Sequence, residues 1–218
     1  GQRLGRLSGE LHPALVQHQL RRVLAARREK LGQLTRLMGL PPPGGVRIEP
    51  ARVGGVPGEW VIPKAGDSEG ALLYLHGGAY VVGQPPTYRA LNAQIAREAR
   101  VKVCVLDYRL APEHPCPAAI DDALAAYRAL LDERPPSRLV LGGDSAGGGL
   151  VMALLLAIRD AKLPMPSGAF LISPWPTATS ARPTVTWCCR CRSCARRPAI
   201  TRVICPTTTR ACRRCGPT

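Results

Sequence analysis

Ser145 lies in the run Gly142-Gly143-Asp144-Ser145-Ala146-Gly147-Gly148, which contains the pattern G-x-S-x-G. An apolar strand-like stretch, Leu139–Leu141, precedes it, and the apolar helical stretch Ser145–Ala161 follows. A serine on a sharp strand-to-helix turn carries its hydroxyl clear of the backbone. The glycines leave room for the turn and for a helix lying close to a strand. Because the helix begins at the serine, its unpaired N–H groups and positive dipole end favour negative charge at the same point. Residues of these types in this order suit nucleophilic attack on an acyl carbon.

Such an attack creates an oxyanion, and rigid N–H donors stabilise it at about 2.7–4 kcal/mol of barrier per donor. A second run, His76-Gly77-Gly78-Ala79-Tyr80, directly follows the apolar stretch Ala71–Leu75 and could supply them. The candidate donors are Gly77, Gly78 and Ala79, joined by Ala146, the residue after the serine. A His-Gly-Gly turn alone is weak evidence. Upstream of a strand–G-x-S-x-G–helix junction it becomes strong.

The elements that must position these residues alternate. Val46–Ile48 and Trp60–Ile62 read as short strands separated by the turn formers Gly54-Gly55 and Pro57-Gly58. Strand-like segments follow at Ala71–Leu75, Val101–Leu106, Leu139–Leu141 and Ala169–Ser173. Helical stretches at Thr87–Arg100, Pro117–Glu133 and Ser145–Ala161 separate them, with Pro117 at a tolerated first-turn position. Apolar strands joined by crossover helices predict a mostly parallel, doubly wound α/β sheet. Upstream, Leu11, Leu15, Leu20, Val23, Leu24, Leu31, Leu34 and Met38 recur at helical spacing among Arg21, Arg22, Arg27, Arg28 and Lys30, until Pro41-Pro42-Pro43 ends the pattern. Such a basic amphipathic helix suits either a membrane surface or, more often, the cover of a core or site mouth.

Residues 54–175 resemble the hormone-sensitive-lipase-like branch of the α/β-hydrolase esterases and lipases. The resemblance rests on the His76-Gly77-Gly78-Ala79 loop and the Gly143-Asp144-Ser145-Ala146-Gly147 turn. It also rests on the link Asp107-Tyr108-Arg109-Leu110-Ala111-Pro112-Glu113-His114-Pro115 with Pro117-Ala118-Ala119, and on Leu171-Ile172-Ser173-Pro174-Trp175. It implies an α/β-hydrolase fold with N-terminal helices as a cap. It further implies hydrolysis of short- or medium-chain carboxylic esters through an acyl-serine on Ser145, with a small-molecule ester as partner and no cofactor. His76 would hold the loop, His114 would be scaffold, Asp107 and Glu113 would anchor Arg109 and nearby backbone, and Asp144 would stabilise the turn.

A serine needs a base and an orienting carboxylate, which in α/β hydrolases follow it along the chain in the order acid, then histidine. After Ser145 the chain holds one acidic residue, Asp160, and no histidine. Asp160 falls about four helical turns from the serine, roughly 22 Å along the axis, and points away. Catalysis is therefore expected to be impaired. The expected organisation is a cap over 1–45, an incomplete core over 46–175 lacking its C-terminal strands, and a structureless tail over 176–218.

That tail is compositionally foreign. All fifteen acidic residues and twenty of the thirty basic ones lie in residues 1–160, which carry +5, while the last 58 carry +10. Seven of the nine cysteines fall between Cys188 and Cys215. Across 176–218 the large apolar residues are confined to Val185, Trp187, Ile200, Val203 and Ile204, a composition that suits out-of-frame translation of a G+C-rich gene. The alternative is a non-catalytic binding protein with this tail as a module, zinc-binding or basic. Cys191-x-x-Cys194 and Cys212-x-x-Cys215 have the spacing of a four-cysteine zinc site. Against it stand the surplus thiols Cys188, Cys189 and Cys205 and the lack of a turn glycine, so no metal is assigned. The arginines lack a reading helix or aromatic platform, so nucleic acid is not an expected partner. The longest unbroken apolar run, Leu150–Ile158, is far shorter than the roughly 20 residues of a membrane span. No signal-peptide pattern is visible, which favours the cytoplasm over secretion and otherwise leaves the compartment open; the oligomeric state is also open.

Overall fold

A two-residue turn at Gly54-Gly55 folds β1 (Val46–Val53) back on β2 (Val56–Pro63), with Val53 opposite Val56. Both turn residues have positive φ, 60° and 79°, the geometry that matches the twist of a hairpin and that glycine adopts without strain. The structure is a computed structural model, and it describes residues 19, 21–30, 33, 44–66 and 69–175. Residues 21–30 form helix α1. After the hairpin come β3 (Ala71–Leu75), α2 (Pro85–Ala99), β4 (Lys102–Leu106), α3 (Ala118–Glu133), a short 3-10 turn at Pro136–Arg138, β5 (Leu139–Asp144), α4 (Ser145–Asp160) and β6 (Gly168–Ile172).

The six strands lie in the order β1-β2-β4-β3-β5-β6. The hairpin joins antiparallel to β4, while β4, β3, β5 and β6 run parallel. This is the mixed, mostly parallel sheet flanked by helices of an α/β-hydrolase fold. β3 is apolar at every position because both its faces are covered. Leu73 and Leu75 pack with Tyr127 and Leu130 of α3 and Leu150, Leu154 and Ile158 of α4. Leu72 and Tyr74 pack with Ala93 and Ala96 of α2 on the opposite side. The period-two alternation of a strand thus feeds two cores.

The hairpin strands are longer than expected. Arg47, Glu49 and Arg52 interrupt the apolar pattern of β1, yet β1 is an edge strand in the described sheet, where charged side chains reach solvent at the rim, and Arg47 and Arg52 are exposed. Pro57-Gly58 is not a turn but lies within β2. The Pro57 carbonyl accepts the Asp107 N–H at 2.9 Å, and a Cβ on Gly58 would stand 2.6 Å from the Val105 oxygen, so the glycine permits β2 to approach β4. No helix of the described residues is long and apolar enough to cross a membrane. The expected tail, with its paired cysteines Cys191, Cys194, Cys212 and Cys215, lies outside the described residues, as does most of the stretch before residue 21.

Candidate active site

From β3 the chain passes through α2 to β4 on one side, then through α3 across to β5 on the other. The C-terminal ends of β3 and β5 therefore flank the point where the strand order reverses, the crevice where open α/β sheets place ligands. Leu75 sits opposite Gly143, so the two chemistry-bearing runs leave the sheet side by side.

Nothing separates β5 from α4: Asp144 ends the strand and Ser145 opens the helix. The abrupt change holds Ser145 at φ 49°, a left-handed conformation uncommon for a side-chain-bearing residue. Ser145 is half-buried, whereas Ala146 behind it is fully covered. Gly147 has no room for a side chain, since a Cβ there would lie 2.0 Å from the Leu75 oxygen and 2.5 Å from that of His76. The helix thus starts directly against the end of β3. The Ser145 carbonyl accepts the Trp175 N–H at 2.8 Å, which brings the segment after β6 to the same end of α4.

The loop after β3 is bound to this turn by Asp144. Its Oδ1 accepts the Gly77 N–H at 2.9 Å and the Tyr74 hydroxyl at 2.8 Å, and its Oδ2 accepts the Tyr88 hydroxyl at 3.3 Å. Of the candidate oxyanion donors, Gly77 is thereby spent, because its N–H already has an acceptor. The backbone then turns through left-handed φ at three consecutive residues: Gly78 at 122°, Ala79 at 54° and Tyr80 at 62°. The Gly78 carbonyl accepts from the N–H groups of Val81 and Val82. Among the described residues, neither Gly78 nor Ala79 gives its N–H to another backbone carbonyl outside regular elements. Ala146 belongs to the first turn of α4, where N–H groups lack an intrahelical acceptor.

His76 is fully buried between two rings, 4.3 Å from that of Tyr108 and 5.5 Å from that of Tyr88. Its Nδ1 lies 2.7 Å from the Gly77 oxygen; a carbonyl only accepts, so Nδ1 carries the proton. Burial pushes the imidazole below its ordinary pKa and outweighs Gly77 and Asp144, which act the other way, so the ring is neutral. Nε2 has no partner among the described residues. The Tyr108 hydroxyl donates to the His76 carbonyl at 2.7 Å.

Two expected contacts are replaced. Arg109 is not held by Asp107 and Glu113 but by Asp122 of α3, which accepts both the Arg109 N–H and its guanidinium. Asp107 instead lies at the surface near Glu59, and desolvation by the surrounding chain together with that like charge raises its carboxyl above the usual carboxylate range. Glu113 pairs with Arg28 of α1 at 2.9 Å. Sequence reading did not single out Asp122, Arg28, Tyr74 or Tyr88. Tyr74 and the neighbouring leucines share one apolar run, where a hydroxyl's partner leaves no trace.

Residues 72–210 match the family model described as the alpha/beta hydrolase fold. The chain is 49% identical over 135 residues to an acetyl-hydrolase of Streptomyces hygroscopicus, covering 62% of this chain and 44% of that protein. A solved esterase of the bacterial hormone-sensitive lipase family is 47% identical and superposes with a TM-score of 0.62 over 65% of this chain and 48% of its own. An esterase/lipase from an uncultured bacterium is 44% identical with a TM-score of 0.65, over 70% and 51%. The chain belongs to the α/β-hydrolase-fold family, and its likeness to the hormone-sensitive-lipase-like members holds in sequence as well as shape. It spans about half the length of the curated relatives it matches.

Proposed function

We propose that the chain carries the acyl-accepting half of a carboxylic ester hydrolase acting on small esters with short acyl groups. Ser145 is the nucleophile, and Gly78, Ala79 and Ala146 donate to the oxyanion. The observation that carries this is the left-handed Ser145 at the β5–α4 junction, tied through Asp144 to a loop whose next two N–H groups have no backbone acceptor among the described residues. The preference for short acyl groups draws support from the acetyl-hydrolase likeness.

Asp144 is engaged by three donors and His76 is enclosed and neutral, so each serves the scaffold. The base has no candidate beyond Ser145, because His12, His18, His76 and His114 all precede it. Asp160, the last residue of α4, is exposed and paired with Arg159. Turnover by these 218 residues is accordingly slow. Oxyanion stabilisation and binding alone leave about 10³–10⁴-fold over water when triad members are missing.

The test is incubation of the purified chain with p-nitrophenyl acetate, following nitrophenol release and the mass of the protein. Slow release with an acetyl group on Ser145, both lost in Ser145→Ala, is the expected result. Turnover within the ordinary enzyme range of about 1–10³ s⁻¹ would overturn the impairment. A folded protein with no Ser145-dependent acylation would overturn the nucleophile.

A further inference from the structure

Helix α1 reaches the loops beside the candidate site through Arg28. Arg28 donates through Nε to the Val81 carbonyl at 2.6 Å, and through Nη2 to the Ala111 carbonyl at 2.6 Å and to Glu113 Oε2 at 2.9 Å. The same two loops are stitched a second time by the Ala111 N–H on the Tyr80 carbonyl at 2.8 Å. The carbonyls of Tyr80 and Val81 are thus both captured from outside the loop, at the end of the left-handed stretch Gly78, Ala79 and Tyr80. Backbone held in such conformations persists only where its surroundings fix it.

We propose that Arg28 is a positioning residue for the oxyanion loop, so that the N-terminal helix sets the placement of the Gly78 and Ala79 N–H groups. The proposal rests on reading those groups as oxyanion donors. An exposed arginine–glutamate pair alone would be worth little. Here the Arg28 side chain is three-quarters covered, and two of its three acceptors are carbonyls of irregular loops. The planar fork serves those divergent acceptors together, which a lysine ammonium on a flexible stem does not match. No group touching substrate is involved: Arg28 acts through Val81.

The test uses the full chain with Arg28→Met, which keeps an apolar stem, and Arg28→Lys. Arg27→Met, an exposed position on the same helix, is the control. Amide hydrogen exchange is read over residues 77–83 and 139–160, alongside the saturating rate and half-saturating concentration for Ser145 acylation by p-nitrophenyl acetate. In both Arg28 variants, exchange over 77–83 should rise about tenfold while 139–160 is unchanged. The saturating rate should fall about tenfold to a hundredfold at constant half-saturation, the scale expected of a misplaced catalytic group. Arg27→Met should change neither. Unchanged exchange over 77–83, a rise spread equally over both segments, or full rescue by lysine would overturn the proposal. If the parent chain acylates and Arg28→Met acylates equally fast, positioning fails while the esterase reading stands. If the parent never acylates but exchange rises only over 77–83, the esterase reading fails while the loop-holding role stands.

Discussion

One methyl group separates glycine from alanine at position 147, and the two carbonyl oxygens of Leu75 and His76 already occupy its place. Gly147→Ala therefore has to push α4 off β3 or distort the turn that carries Ser145. Overpacking of this kind costs about 1–3 kcal/mol, and here it falls on backbone that cannot rotate away. Equilibrium urea unfolding of Gly147→Ala should show a lower midpoint at unchanged slope, corresponding to an unfolding free energy reduced by that amount. An unchanged midpoint would mean that the helix has more latitude than its contacts indicate. The pattern G-x-S-x-G was legible at this scale because its glycines answer a steric demand that any reader of the chain can anticipate. The occupation of Gly77 was not, since its acceptor, Asp144, lies far along the chain and meets it only after β3 and β5 pair.

At the scale of elements, Asp144 is the joint between the end of β5 and the loop after β3. Replacing it with alanine strands the buried Tyr74 hydroxyl and the Gly77 N–H, each without its acceptor. Unsatisfied buried donors cost about 1–3 kcal/mol. Asp144→Ala should lose stability on that scale, while Asp144→Asn, which keeps an acceptor of the same shape, should lose less; equal losses would show that shape, not hydrogen bonding, matters here. The order of strands and helices was readable from apolar runs punctuated by glycine and proline. The hairpin was read too short because an edge strand tolerates charge, and Pro57-Gly58 was misread because a close strand approach and a turn call for the same residues. The Asp122 clamp on Arg109 and the Arg28 clamp on Glu113 left no sequence signal, because a charge on a helix face looks the same whether or not it finds a partner.

Across the whole molecule, burial has a consequence for alkaline stability. It pushes the Tyr88 and Tyr127 hydroxyls up to about 12 and the Cys104 thiol up to about 12, and raises Tyr74 and Tyr108 as well, with Asp144 adding to the effect at Tyr74, Tyr88 and Tyr108. The fold holds these groups protonated, whereas the unfolded chain releases the thiol proton near 9 and the phenol protons near 10. Above those values the unfolded state binds fewer protons than the native one, so its free energy falls relative to the fold. Their contribution is complete below about pH 9 and is lost as pH rises toward 12. Thermal unfolding followed from pH 8 to 12 should show a falling midpoint over that window, with tyrosinate absorbance appearing together with unfolding; a flat midpoint would contradict the burial of these groups. The parallel sheet that encloses them was legible in outline, but their individual environments belong to contacts between segments far apart in the chain.

The direct junction of β5 and α4, with no connecting residue between Asp144 and Ser145, fixes the rotational phase of the helix. An inserted residue at that seam would turn everything after it by about 100°, one residue's share of a helical revolution. Leu150, Leu154 and Ile158 would swing off the sheet together with the serine's aim. An insertion is therefore expected to be tolerated far less at this seam than in the loops that join the other elements.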